Sequence, residues 1–162
     1  MTLEMTAPLE IGLVVRDLGA ALTFYRDALG LVLVADVAVP AEKADQAMLS
    51  SGGYQVVRLQ TPRGERIKLL CPDRAPDPAP VATDRILDRS GAGYVTFIVG
   101  DLRAIVARLV EHGATPLTGT APVEVRPGTY LAFLRDPDGH IIEIVEYADI
   151  AAYRPDLADP AP

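Results

Sequence analysis

With 162 residues, 49% of them apolar and 23% charged, the chain can bury one domain core, or two small domains sharing a core. Its net charge of −7 argues against the Lys- and Arg-rich surface on which nucleic-acid and anionic-membrane binding depend. A single cysteine, Cys71, excludes an intrachain disulfide and suits a reducing cytoplasm, the location expected here.

The opening MTLEMTAPLE lacks the basic region and apolar run of a signal peptide, and no stretch reaches the ~18 apolar residues of a membrane helix. Residues 10–17, EIGLVVRD, are rich in branched apolar side chains and read as a strand. Asp17 is placed to cap a helix over LGAALTFYRDALG, with Leu18, Leu22, Tyr25 and Leu29 on one face and Gly30 at its end. LVLVADVAV (31–39) reads as a second strand and AEKADQAML as a short helix or ordered excursion. YQVVRLQTP and RIKLLC form a hairpin around Pro62 and Gly64. The Pro- and Asp-rich run PDRAPDPAPVATD separates two halves. The same order then returns: a strand YVTFIVGD ending on a second capping residue, Asp101, and a helix LRAIVARLVEHG with Leu102, Ile105, Val106 and Leu109 inward. The strands APVEVRP, TYLAFLRDP and HIIEIVEY follow. The last residues, ADIAAYRPDLADPAP, lose periodicity and read as a loosely attached tail. The expected boundaries are 1–72, a connector 73–92, 93–147, and a tail 148–162.

The halves align on their own residues. Asp17-Leu18 matches Asp101-Leu102, which sets Glu10 against Tyr94. TPRGERIKLL overlies DPDGHIIEIV, which sets Lys68 against Glu143. The expected fold is therefore α+β, two paired modules of strand, helix and three strands, with the helices on one face of a curled sheet. Strand alternation sorts the faces. Leu13, Val15, Ile67, Leu69, Val95, Phe97, Ile142 and Ile144 go beneath the helices. Glu10, Gly12, Val14, Arg58, Gln60, Lys68, Tyr94, Thr96, Phe133, Arg135 and Glu143 take the opposite face, so that Glu10, Lys68, Tyr94 and Glu143 are expected to look into one cavity.

The strings IGLVVRDLGAALTFYRDALGL and LAFLRDPDGHIIEIVEY resemble the opening and closing signatures of the vicinal oxygen chelate superfamily, which includes glyoxalase I, methylmalonyl-CoA epimerase, extradiol dioxygenases and bleomycin-resistance proteins. The resemblance spans about residues 9–147 and implies paired βαβββ modules round a cup, commonly in a homodimer. In metal-dependent members the four cup positions are usually His, Glu or Gln. Carried across, they fall on Glu10, Lys68, Tyr94 and Glu143. The two carboxylates suit a divalent metal and would be its ligands if one bound. Lys68 has no lone pair to offer as an ammonium, and a phenol is an uncommon ligand for zinc, nickel or cobalt. The histidines, His112 and His140, fall at a helix end and in a hairpin turn, away from the ligand positions. No cofactor is expected.

Three roles stand open for the four residues. Lys68 can bridge the carboxylates as a structural tie, which adds little net stability because desolvation offsets the Coulomb gain. Alternatively, Glu10 or Glu143 acts as a base, Tyr94 donates to a substrate oxygen and Lys68 stabilises an enolate-like anion. A Schiff base on Lys68 is the third, opposed by the neighbouring carboxylates. Arg58 is either an exposed strand arginine or a clamp for a carboxylate or phosphate. With Gln60, Thr96 and Phe133 it completes the expected substrate-binding set. Arg135 is expected to partner Asp136 or Asp138. Phe133, Tyr130, Met48 and Tyr54 either line an apolar pocket or belong to the core. The expected function is a metal-independent isomerase, epimerase or lyase acting on a small oxygenated metabolite. The alternatives are a non-catalytic binder that sequesters a small molecule, and a divalent-metal enzyme with atypical ligands.

Overall fold

A computed structural model of the chain describes residues 4–78, 85–119 and 121–157. The connector residues 79–84 and the tail residues 158–162 lie outside them. The chain divides into two compact units, Met1–Ala82 and Thr83–Pro162.

The first unit runs β1 (Glu10–Val14), α1 (Leu18–Leu22), a π turn (Thr23–Ala28), β2 (Val32–Val39), α2 (Ala41–Gln46), β3 (Tyr54–Gln60) and β4 (Arg66–Pro72). Its four strands lie in the order β1-β4-β3-β2, with β1 parallel to β4 and the other pairs antiparallel. Asp17 starts α1 as its spelling predicts, its carboxylate accepting from the Ala20 amide at 3.0 Å. The inward face of this helix differs from the expected one. Ala21, Phe24, Tyr25 and Ala28 are buried, whereas Leu18, Leu22 and Leu29 are only half-buried. For Leu29 the cause is the π turn before it: its amide donates to the Phe24 carbonyl, five residues back, at 3.0 Å. The widened turn rotates the following residues off a stripe drawn at normal helical spacing.

The second unit runs β5 (Tyr94–Ile98), α3 (Leu102–Glu111), β6 (Thr115–Pro116), β7 (Val123–Arg126), β8 (Thr129–Arg135), β9 (Ile141–Tyr147) and α4 (Ile150–Tyr153). Its sheet order is β5-β9-β8-β6, with β7 also pairing β8. Asp101 caps α3 through the Ala104 amide at 2.9 Å, and Leu102, Val106 and Leu109 are buried beneath it. The strand that corresponds to β2 is broken here. β6 pairs with the Leu134–Arg135 end of β8 and β7 with the Thr129–Leu131 end. Between them fall Gly119, whose φ is 81°, and Pro122, neither suited to a continuous ladder.

After the Pro- and Asp-rich run, a 3-10 turn forms at Ile86–Asp88. The described part of the tail is structured: Asp149 caps α4 through the Ala152 amide at 2.9 Å, and a 3-10 turn follows at Pro155–Leu157. Tyr153 stacks on Tyr147 of β9, with centroids 3.8 Å apart and planes at 13°. This contact joins a helix residue to a strand residue, so no periodicity within the tail announces it.

The repeat read from sequence is present in the backbone register. β1 sets Gly12 beside Lys68 of β4, and β5 sets Thr96 beside Glu143 of β9. Across the antiparallel pairs, Arg58 faces Lys68 and Phe133 faces Glu143. Both units therefore carry the βαβββ plan, and the α+β class holds. Among the described residues no helix is long and apolar enough to cross a membrane.

Candidate functional site

In the first unit, Leu13, Ile67, Leu69, Val57 and Leu59 fill the helix-covered side of the sheet. Their strand neighbours must point the other way. The adjacent partners there form rows across β1, β4 and β3: Glu10–Arg66–Gln60, Gly12–Lys68–Arg58 and Val14–Leu70–Val56. Pro72 and Tyr54 form the last pair. The face is thus charged at one end and apolar at the other.

Glu10 sits among three cations. Its Oε1 is 3.4 Å from Arg66 Nη1, and its Oε2 is 3.8 Å from Lys68 Nζ and 3.9 Å from Arg58 Nε. Arg66 is steered by Gln60, whose Oε1 accepts from Arg66 Nε at 2.8 Å. Side-chain exposures of 31–38% leave the group open to a solute without making it freely solvated. Three positive charges against one negative give a locally cationic patch on an acidic chain. At the apolar end, Val14, Tyr54, Leu70 and Pro72 line a pocket of about 370 Å³ together with Ser50 and Ser51.

In the second unit, Ile142 and Ile144 are buried on the helix side, and Glu143 faces away from them, half-exposed. Thr96 Oγ1 donates to Glu143 Oε2 at 2.5 Å. Tyr94 meets Phe133 edge to face, with centroids 5.1 Å apart and planes at 81°. The Phe133 amide donates to Thr118 Oγ1 at 3.2 Å. Glu10, Gln60, Arg58 and Lys68 are therefore brought together in one unit, and Tyr94, Phe133, Thr96 and Glu143 in the other.

Several further residues find different roles. Arg135 holds the turn after β8 through the Gly139 carbonyl at 3.1 Å. In that turn buried Asp136 accepts from the His140 amide at 2.7 Å, and its Oδ2 lies 2.8 Å from His140 Nδ1. Burial alone would lower the His140 pKa. The Asp136 hydrogen bond and charge outweigh it and hold the imidazole above its ordinary value. Met48 is almost fully exposed, at a positive φ of 57°. Tyr130 is exposed, and its hydrogen bond with Glu124 raises its pKa. Burial first, then a hydrogen bond with Tyr153, pushes the Tyr147 phenol up to about 12. Arg126 Cζ stands 6.0 Å from the centroids of both rings of that stack.

Arg66 is the functional candidate that sequence reasoning missed. Alternation puts it on the same face as Lys68, but its repeat-equivalent is Ile141, so the comparison of the halves passes over it.

The donor set does not suit a divalent metal. The neighbours of Glu10 are cations, and Glu143 is engaged by a hydroxyl. Among the described residues no group of three or more His, Cys, Asp or Glu is arranged to hold one.

A family model described as Glyoxalase/Bleomycin resistance protein/Dioxygenase superfamily matches residues 7–144. Among solved structures, a glyoxalase family protein from Bacillus cereus is similar at 25% identity, with 90% of this chain and 97% of that chain covered and a TM-score of 0.72. A trypanothione-dependent glyoxalase I from Leishmania major shares the fold at 21% identity, over 93% of this chain and 92% of that one, with a TM-score of 0.63. A glyoxalase I mutant from Zea mays does so at 22% identity over 88% of this chain and 45% of that one, with a TM-score of 0.65. No curated protein matches.

Proposed function

Because the chain belongs to the Glyoxalase/Bleomycin resistance protein/Dioxygenase superfamily, we propose that it acts on a small oxygenated metabolite by proton transfer without a divalent metal. The reaction class is isomerisation, epimerisation or a lyase step through an enolate-type anion. The observation that carries this reading is the ring of Arg58, Arg66 and Lys68 about Glu10; by the family resemblance, Glu10 and Lys68 fall on positions that hold metal ligands in metal-dependent members. Such cations stabilise negative charge on an oxygen atom, the task a metal otherwise performs.

Each unit holds one of the two carboxylates, with partners of its own. Glu10 is committed to three cations and orients them. Glu143, with the Thr96 hydroxyl as its hydrogen-bond donor, is the proposed base, and Tyr94 the proposed donor to a substrate oxygen. A homodimer is proposed on the family resemblance, and a cytoplasmic location on the single cysteine; sedimentation velocity and cell fractionation check them.

The test combines metal analysis with hydrogen exchange. Protein purified without chelator is dialysed and its metal content measured, then incubated in deuterium oxide with a panel of small ketones, hydroxyketones and keto acids. Loss of the proton beside the carbonyl, followed by NMR, is expected for wild type and reduced by at least about a hundredfold in Glu143→Gln, the scale of general-base catalysis. Stoichiometric retained metal, or exchange indifferent to that substitution, overturns the reading. A second reading, a non-catalytic binder, draws on the apolar pocket lined by Val14, Tyr54 and Leu70. Binding with no exchange on any compound would favour it.

A further inference from the structure

We propose that the first unit recognises an amphiphilic monoanion: a carboxylate head held by Lys68 and Arg58, with an apolar chain or ring lying along the sheet over Val14 and Leu70 toward Tyr54 and Pro72. The inference rests on the reading of this face as the ligand face. It is independent of whether chemistry follows.

Four observations converge on it. The first is charge. Glu10 neutralises only one of the three cations around it, so the patch retains capacity for a second carboxylate. Arg58 supplies a planar fork and Lys68 a point charge, a combination that suits a carboxylate's two oxygens.

The second is direction. From Lys68 to Pro72 the polarity of β4 changes from ammonium to Leu70 and then to the pocket, and β1 follows it from Glu10 to Val14. Four residues of strand span about 13 Å, which sets the reach of the apolar body. A head group without a body would leave that end unfilled. A body without a charge would leave the cations without a second anion.

The third is the floor. Gly12 lies between Glu10 and Val14 on β1, beside Lys68. Its φ lies outside the left-handed region, so the backbone does not require glycine there. A Cβ at this position would come 3.2 Å from Leu70 Cδ1 and 3.9 Å from Lys68 Cε. Glycine therefore leaves the Lys68 stem and the Leu70 side chain uncovered where head and body of the ligand would join.

The fourth is the pocket wall. Ser50, Ser51, Arg74 and Asp77 line the pocket beside Val14, Tyr54, Leu70 and Pro72, so its wall combines apolar and polar groups. Small-molecule sites combine an apolar lining with a few orienting polar groups in this way.

Three probes separate the components: phenylbutyrate, with head and body; phenylbutanol, with body only; and acetate, with head only. Calorimetric titration is expected to give phenylbutyrate an affinity at least about tenfold above either fragment. Lys68→Gln is expected to weaken phenylbutyrate about tenfold and leave phenylbutanol unchanged, the loss of one charge-assisted contact. Arg58→Gln serves if Lys68→Gln unfolds, as judged by circular dichroism. Val14→Asp, at an exposed position, should weaken phenylbutyrate and spare acetate. The proposal is overturned if phenylbutanol binds as well as phenylbutyrate, if acetate does, or if neither cation substitution changes phenylbutyrate binding. Tight phenylbutyrate binding without proton exchange on any compound would leave this inference standing and remove the catalytic reading. Proton exchange on ketones together with no preference for phenylbutyrate over its fragments would do the reverse.

Discussion

Replacing Glu10 with Gln should move stability and anion affinity in opposite directions. The carboxylate lies 3.4–3.9 Å from three cations. At about 4 Å a full Coulomb pair is worth ~1 kcal/mol in water and ~4 kcal/mol at an intermediate effective dielectric. Here every partner is about one-third exposed, so solvent screening brings each pair down to roughly 0.2–1 kcal/mol. Gln also keeps an oxygen for Arg66. The three contributions share one carboxylate and do not add in full, so the expected loss is about 1 kcal/mol. That corresponds to a fall of ~2–4 °C in Tm, read by circular dichroism and diminishing with added salt. Carboxylate affinity should instead rise, by roughly threefold to tenfold for phenylbutyrate in the calorimeter, because the internal competitor for Lys68 and Arg58 has gone. A folded Glu10→Gln protein that binds the probe more weakly, or equally, would refute the view of Glu10 as an occupant of an anion site.

His140 is held above its ordinary pKa in the fold, since the Asp136 interaction outweighs burial. Its contribution to stability is therefore fully present below pH 6.5 and lost as pH rises through the folded value; urea midpoints across that range should fall in wild type and flatten in His140→Ala. Tyr153→Ala removes the ring stacked on Tyr147, with an expected loss of ~1 kcal/mol in urea unfolding. Alkaline absorbance titration of that variant should show the Tyr147 phenol ionising below its present value of about 12. Gly139 has a φ of 95° and open space within 4 Å of where a Cβ would sit, so Gly139→Ala meets backbone strain and no clash. The cost should be ~1–2 kcal/mol by chemical denaturation, with ligand affinity unchanged.

The doubled βαβββ plan could be read from sequence because its markers are local. Asp17 and Asp101 cap through their own first turns, Gly64 and Gly139 occupy left-handed turn positions, and period-two alternation names the faces of β4 and β9. The π turn escaped because one wider backbone hydrogen bond, from Leu29 to Phe24, has no side-chain signature. The Tyr147–Tyr153 stack escaped because it joins a strand to a helical turn with no shared period. At the site, face assignment identified Glu10, Lys68, Arg58 and Gln60 correctly as neighbours on one side of a sheet. It omitted Arg66, whose importance lies in its distance to Glu10, a quantity that strand alternation does not supply.

The cationic patch around Glu10 gives an approaching anion two electrical regimes. At low ionic strength, where the screening length reaches about 30 Å, an anion still far from the patch senses a chain of net charge −7 and is repelled. Close in, it meets Arg58, Arg66 and Lys68 in surroundings where screening is weaker. Added salt therefore speeds arrival by erasing the outer barrier and shortens residence by loosening the inner hold. The two changes oppose each other in Kd, so a binding constant that hardly varies with ionic strength would conceal association and dissociation rates that both climb.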